Sequence, residues 1–321
     1  MIDVVAGIDI GGTFTQIGIV DPRGRCSETR TIHTAAFRNI DRFLEQLDRE
    51  IRNLMNVRGK TVSLRGVGLG APNANGLRGT IEYAPNLPWK GVVPLVKKFR
   101  KFFGDRPVVL ANDADVAALG EMAYGGAKKM KNFVLLTLGT GLGSAFVVNG
   151  HLVCGHDGYA GEFGHVNVKH NGRVCRCGNR GCLETYVSAT GIKRTFLSLL
   201  AARPLKSDLR KVSAKEITSE MIYHAAGDGD MLACEAFATT GAILGRALAN
   251  VVAITGPEAI FLLGGLSRAG ELIFKPARES MEKNLFPVFR KKVKILPSAL
   301  KGQNAAVLGA GTLAWKDLNS L

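Results

Sequence analysis

One imidazole and three thiols stand close together in this chain: His165, Cys175, Cys177 and Cys182, spaced His-x9-Cys-x-Cys-x4-Cys. That set fills the four positions of a closed tetrahedral Zn²⁺ site, in which the ion orders a loop and offers no open position to a substrate. Glu162 lies three residues before His165 and Glu184 two residues after Cys182, so one ion would hold two carboxylates toward one pocket. Clustered cysteines in a chain that opens without a secretory signal read as metal ligands rather than disulfides. His33, His151, His156, His170 and His224 lack such neighbours and read as surface or packing residues.

Two glycine-rich bends are the next candidates, Gly11-Gly12-Thr13 and Gly139-Thr140-Gly141-Leu142-Gly143-Ser144. Each follows an apolar strand, and consecutive N–H groups with no Cβ in the way suit a phosphate. One such bend alone is an ordinary turn. Two at matching places, about 130 residues apart, read as a grip on the phosphates of one nucleotide from both sides, with Asp9 placed to hold Mg²⁺ directly or through water. Neither bend carries the Lys-Ser or Lys-Thr of a P-loop or the dinucleotide fingerprint. Asn112-Asp113 ends another apolar strand, where an open α/β sheet presents its ligand-binding residues. The pair reads either as the cap of the following helix or as a site in which Asp113 takes a proton from a substrate hydroxyl attacking a γ-phosphate.

These residues need elements to position them. Val4 to Ile10 and Phe14 to Val20 pattern as strands around the first bend, and Ile40, Phe43, Leu44, Leu47, Ile51, Leu54 and Met55 recur at helical spacing. A strand at Val62 to Gly70, a helix at Pro94 to Phe103, a strand at Pro107 to Ala111 and a helix from about Asp115 to Tyr124 follow. The second half repeats the plan: Phe133 to Leu138 is a strand, the second bend follows, Ala145 to Val148 is the return strand and Asn149-Gly150 the turn. Ala259 to Leu263 runs into Gly264-Gly265, and Ala305 to Trp315 reads as a closing helix that packs back on the first domain. Strands alternating with amphipathic helices in two halves predict a duplicated α/β protein.

The 321 residues carry a net charge of +15 with 46% hydrophobic side chains, enough for two packed domains and too apolar for disorder. The charge is +7 over residues 1–110 and +8 over 111–321, where a nucleic-acid arm would concentrate it. The basic run Lys97 to Lys101 reads as one side of an amphipathic helix whose Leu95, Val96, Phe99, Phe102 and Phe103 share the other. The overall basic charge, where it lies near the phosphate bends, instead suits long-range steering of polyanions such as ATP or polyphosphate. The nearest approach to a membrane span, Ala249 to Leu266, is broken by Pro257 and Glu258. A cytoplasmic protein without nucleic-acid or membrane partners is expected.

Asp9-Ile-Gly-Gly-Thr13, Asn112-Asp113-Ala114, Leu138-Gly-Thr-Gly-Leu-Gly-Ser144, Glu162-Phe-Gly-His165 and Cys175-x-Cys-Gly-x-x-Gly-Cys-Leu-Glu184 stand in the order and spacing of the ROK family of sugar kinases and sugar-responsive repressors. Gly70-Ala-Pro-Asn73 and Ala84-Pro-Asn-Leu-Pro-Trp89 resemble its glucokinases in particular. The resemblance implies two ribonuclease H-like domains of the actin-like ATPase and hexokinase type, with a cleft between them for ATP and a sugar. It makes Asp113 the catalytic base and puts Asn86, Asn112, Glu162, His165 and Glu184 on the sugar. It sets Asp9, Gly11, Gly12, Thr13, Gly139, Thr140 and Gly141 on the phosphates with Mg²⁺, and Gly264 and Gly265 near the adenosine. Zinc falls to His165, Cys175, Cys177 and Cys182.

On this reading residues 1–112 form a small domain completed by the C-terminal helix 305–321, and 113–304 a larger one with the zinc loop 165–182. Phe14 departs from the Lys that often follows Gly-Gly-Thr in the family, Asp115 replaces an Asn, and Ala145 replaces a Gly. The expected activity is ATP-dependent phosphorylation of glucose by a homo-oligomer, dimer or tetramer. N-acetylglucosamine, N-acetylmannosamine, mannose, allose and fructose are the alternative acceptors. Only eight residues precede Asp9, so the helix-turn-helix reading head of a repressor is not expected.

Overall fold

The structure, a computed structural model, describes residues 2–57, 62–300 and 305–318. Its first half runs β1 (Ile2–Ile10), β2 (Phe14–Val20), β3 (Cys26–His33), α1 (Ile40–Val57), β4 (Val62–Ala71), a small sheet of β5 (Ala74–Asn75), β6 (Thr80–Glu82) and β7 (Val92–Val93), α2 (Leu95–Arg100), β8 (Val108–Asn112) and α3 (Asp113–Tyr124). There follow β9 (Phe133–Leu138), β10 (Leu142–Val148), β11 (His151–Leu152), α4 (Ala189–Ala202), α5 (Ser219–Gly227), α6 (Met231–Thr255), β12 (Ala259–Leu263), α7 (Glu271–Asn284), β13 (Lys294–Pro297) and α8 (Ala305–Leu318).

Two five-stranded sheets have the same plan. The first is ordered β3-β2-β1-β4-β8 and the second β11-β10-β9-β12-β13. In each, an antiparallel hairpin around a glycine bend leads into parallel strands: β4 beside β1 and β8 beside β4, and β12 beside β9 and β13 beside β12. The duplication expected from the two bends is therefore a duplication of the whole sheet.

Burial on both faces explains why β1 reads as an unbroken apolar run rather than an alternating one. Val4, Ala6, Ile8 and Ile10 join the core formed with Phe43, Leu47 and Ile51 of α1, while Val5 joins Val20, Val307 and Ala314 on the side of α8. Gly7 and Gly68 let α8 approach this face, because a Cβ at either would fall inside the carbonyl oxygen of Val307 or Ala310. Gly68→Ala is expected to cost about 2–3 kcal/mol through overpacking, read as a lower urea midpoint at unchanged m-value.

Contacts divide the chain into two compact units, Met1–Met130 with Leu152–Ala160 and Ser298–Leu321, and Lys131–His151 with Gly161–Pro297. The boundary expected at 112/113 is displaced. α3 packs on α8 and β4 and so stays with the first unit. The 152–160 loop is held there too: the buried Asn75 amide donates to Asp157 O at 2.6 Å, and Tyr159 hydrogen-bonds Glu82 and Asn75. The closing helix α8 packs on α3, β1 and β4. Residues 301–304 and 319–321, assigned to the second domain and the closing helix, lie outside the described residues.

Local differences have local causes. The return strand of the second bend starts at Leu142, paired with Leu138, which shortens the bend to Gly139-Thr140-Gly141. The helix α2 is shorter than expected, but Leu95 and Phe99 are buried as its apolar face and Phe103 is buried in the turn after it. Among the described residues α6 is long and apolar enough to cross a membrane by length and composition, which the reading of Ala249 to Leu266 as the nearest such stretch missed. That stretch is instead the end of α6, a left-handed Gly256 cap and β12. Leu232, Phe237, Leu244, Leu248 and Val252 of α6 lie in the second unit's core, and α7 packs along it.

Candidate functional site

In the first unit the C-terminal ends of the parallel strands bring the polar candidates together. Asp9 pairs in register with Gly70, and Ala71 with Asn112, so the ends of β1, β4 and β8 share one edge. Asn112 is the N-cap of α3, its Oδ1 accepting from Ala114 N at 3.0 Å, and Asp113 Oδ1 accepts from the same amide at 2.8 Å. The cap reading is thus realised by Asn112, and it fixes the turn on which Asp113 stands. Asp113 is reachable by solvent yet surrounded by protein, and burial pushes its carboxyl above the usual range. Asp9 is pushed up to about 6, by burial first and by the charge of Asp113 second. Two carboxylates with raised pKa values at one strand edge suit a dication and a proton transfer.

The first bend closes with Gly11 N donating to Phe14 O at 3.0 Å, and Gly12 lies against the backbone of Asn86. Asn86 is exposed on a loop pinned by Trp89, whose Nε1 donates to Phe37 O at 3.0 Å and whose ring lies 4.6 Å from Phe43. Phe14 projects from the sheet with its ring 5.3 Å from His33, so the side chain at the family's usual Lys position is spent on a surface aromatic contact.

In the second unit Glu184 connects two features that the sequence presents separately. Its Oε2 accepts from Leu142 N at 3.0 Å, and its Oε1 lies 3.7 Å from Cys175 Sγ. A Cβ on Gly141 would collide with Oε2, so this glycine admits the carboxylate to the bend. Gly139, by contrast, has open space where a Cβ would be. The bend is latched to the start of α4 by Ala189 N to Gly139 O at 2.9 Å and Thr190 Oγ1 to Thr140 O at 2.9 Å. Gly264 packs on Leu138 after β12, and Gly265 faces open space.

The metal candidates converge. The donor atoms of His165, Cys175, Cys177 and Cys182 all lie within 4.8 Å of one another. Cys177 Sγ and Cys182 Sγ are 3.7 Å apart, and Cys175 Sγ and His165 Nδ1 3.8 Å. A tetrahedron with Zn–S bonds of about 2.3 Å has edges of about 3.8 Å, so the set fits zinc. With Nδ1 turned to the cysteines, His165 presents Nε2 toward Glu162, 4.0 Å away.

Two positioning residues, Arg173 and Ser188, carried no signal in sequence, and a third, Ser144, stood there only as the end of the second bend. Ser144 Oγ donates to Gly161 O and accepts from Phe163 N at 3.0 Å, which clamps both sides of Glu162. Arg173 sits over the Tyr186 ring at 4.5 Å and donates to Thr185 O, Gly191 O and Thr195 Oγ1, tying the cysteine loop to α4. Ser188 caps α4 through Gly191 N. Each is an ordinary residue until the chain brings its partners to it.

Repeated sheets of this order, each with a glycine bend between its first two strands, define the two-domain actin-like ATPase fold. The chain belongs to the ROK family, matched over residues 5–317. It is 33% identical to a glucokinase of Thermotoga maritima, with 96% of each chain covered. It is also similar to the solved ROK family glucokinase of Streptomyces griseus in complex with glucose and AMPPNP, at 31% identity and a TM-score of 0.78 over 98% of this chain and 99% of that one. A xylose repressor of Bacillus spizizenii is 30% identical over 78% of this chain, which spans 61% of that repressor.

Proposed function

We propose that this protein is an ATP-dependent glucokinase that forms glucose 6-phosphate. The observation that carries the reading is end-to-end similarity to a glucokinase solved with glucose and an ATP analogue. Asp113 accepts the proton of the 6-hydroxyl as that oxygen attacks the γ-phosphorus, held at its station by the Asn112 cap and the first turn of α3. Asn86, Asn112, Glu162, His165 and Glu184 bind the sugar hydroxyls, so an analogue lacking a hydroxyl leaves a protein group unpaired and is rejected. Backbone donors of the two bends face the phosphates, and Gly264 and Gly265 the adenosine. Asp9 would hold the Mg²⁺ that accompanies ATP and neutralises charge on the transferred group. The His165, Cys175, Cys177 and Cys182 set would hold a structural zinc that keeps Glu162 and Glu184 in place.

A coupled assay with ATP, a no-sugar control and glucose beside mannose, allose, fructose, N-acetylglucosamine and N-acetylmannosamine tests the substrate. Glucose is expected to give the highest kcat/KM. Preference for another of these sugars by about tenfold or more would overturn the assignment. Sugar binding without turnover would instead group the protein with the family's sensors.

The raised carboxyls also set a pH dependence. A base and a metal ligand act in their ionised forms, so turnover is lost as pH falls through about 6, where Asp9 titrates, rather than near the ordinary carboxylate value of 3.8. An activity profile from about pH 5 to 8 that stays flat to its acid end would contradict this.

A further inference from the structure

Glu121 is a carboxylate with no exposed surface, on the second half of α3, and the phosphoryl transfer described above makes no use of it. A buried charge must find partners, and those of Glu121 are chain connections. Its Oε1 accepts from Gly126 N at 2.7 Å and from Ala299 N at 2.9 Å, and its Oε2 accepts from the Ser298 hydroxyl at 2.5 Å. Its own carbonyl accepts from Gly125 N at 3.0 Å and Ala127 N at 3.2 Å. The chain leaves the first unit after Met130, whose N–H is held by Ala127 O at 2.9 Å, and re-enters it at Ser298. One carboxylate therefore ties down the segment before one crossing and the first residues after another. The helix that carries it begins at Asp113.

We infer that Glu121 is a positioning residue for phosphoryl transfer: it anchors two of the four connections between the units, those at Met130 and Ser298, to the helix that presents Asp113, so the base keeps its station. The inference rests on the kinase reading of the site. A carboxylate suits the task because its two oxygens accept from three donors and it has no donor to misplace. Gln preserves the arrangement, keeping one oxygen for the two amides and turning its NH₂ to the Ser298 hydroxyl, which can accept. Ala takes the acceptor away from the N–H groups of Gly126 and Ala299 and from the Ser298 hydroxyl, which frees both segments from α3.

The test compares wild type, E121Q, E121A and S298A, each checked for fold by circular dichroism, in kcat, KM for glucose and amide hydrogen exchange. E121A is expected to lower kcat about tenfold and S298A about threefold, with KM changed about twofold at most, and E121Q to stay within about twofold of wild type. Exchange at Gly126 and Ala299 should quicken in E121A and not in E121Q, while β1 amides stay protected. Unchanged kcat in folded E121A and S298A, with only a lower Tm, would reduce Glu121 to packing and overturn the inference. If E121A does not fold, unchanged kcat in S298A overturns it alone. A wild type without sugar phosphorylation removes the kinase reading, and the exchange measurement then still decides whether the anchor exists.

Discussion

Asp113→Asn is expected to lower kcat about a thousandfold while KM for glucose changes about threefold at most. The substitution is nearly isosteric. Asn retains the oxygen that accepts from Ala114 N, so α3 still starts at residue 113 and Asn112 still caps it. What is lost is the ability to take a proton from the sugar hydroxyl, a contribution made only as the transition state is reached. Stability should not suffer, because a carboxyl that burial pushes up is costly to ionise and the amide carries no charge. A second readout is independent of turnover: removing the charge of Asp113 removes one of the two causes that hold Asp9 at about 6, so Asp9 should titrate lower, visible by carboxyl NMR. Turnover within about tenfold of wild type would exclude Asp113 as the base.

Cys182→Ser should have the second-largest effect, through stability and substrate binding together. Cys182 is 1% exposed, lies next to Leu183 of the second unit's core and precedes Glu184 by two residues. The three thiols are so close that burial, then Cys177 and Cys175, push Cys182 up to about 12. A dication binding all three as thiolates would reverse that balance, and its coordination bonds would add to backbone hydrogen bonds of the loop such as Val168 N to Gly181 O and Cys175 N to Asn179 O. Serine is a poor zinc ligand. Zinc in the purified protein should fall from about one equivalent to well below it, and Tm should drop by about 5 °C, corresponding to about 3 kcal/mol in a chain of this size. KM for glucose should rise about tenfold or more as Glu184 and His165 lose their station, while the apolar core around α6 keeps the variant folded. Wild-type protein without zinc, or a variant that keeps both its metal and its KM, would refute the assignment.

Much of this protein was legible in its residue order because the relevant physics is local. The His-x9-Cys-x-Cys-x4-Cys spacing converges on one metal-sized tetrahedron, since ligand chemistry depends on residue type and a short loop can close on itself. The apolar runs of β1 and β9, the two glycine bends and the closing helix are likewise patterns of a few residues each, and they specify the doubled sheet. Asn112 as cap and Asp113 behind it follow from one turn of helix.

What only the tertiary structure decided depends on partners distant in sequence. The fold put α3 and the 152–160 loop in the first unit, because α8 and Asn75 hold them there. Gly141, read as part of a phosphate cradle, makes room for Glu184, and Glu184 in turn lies between the bend and the cysteines. Glu121 gave no signal at all, for its donors at Ser298 and Ala299 stand more than half the chain away. Hydrogen bonds of that kind leave no periodicity or spacing behind. Sequence alone therefore determined which residues can do chemistry here, and the folded chain decided which of them are held, by what, and at which end of which strand.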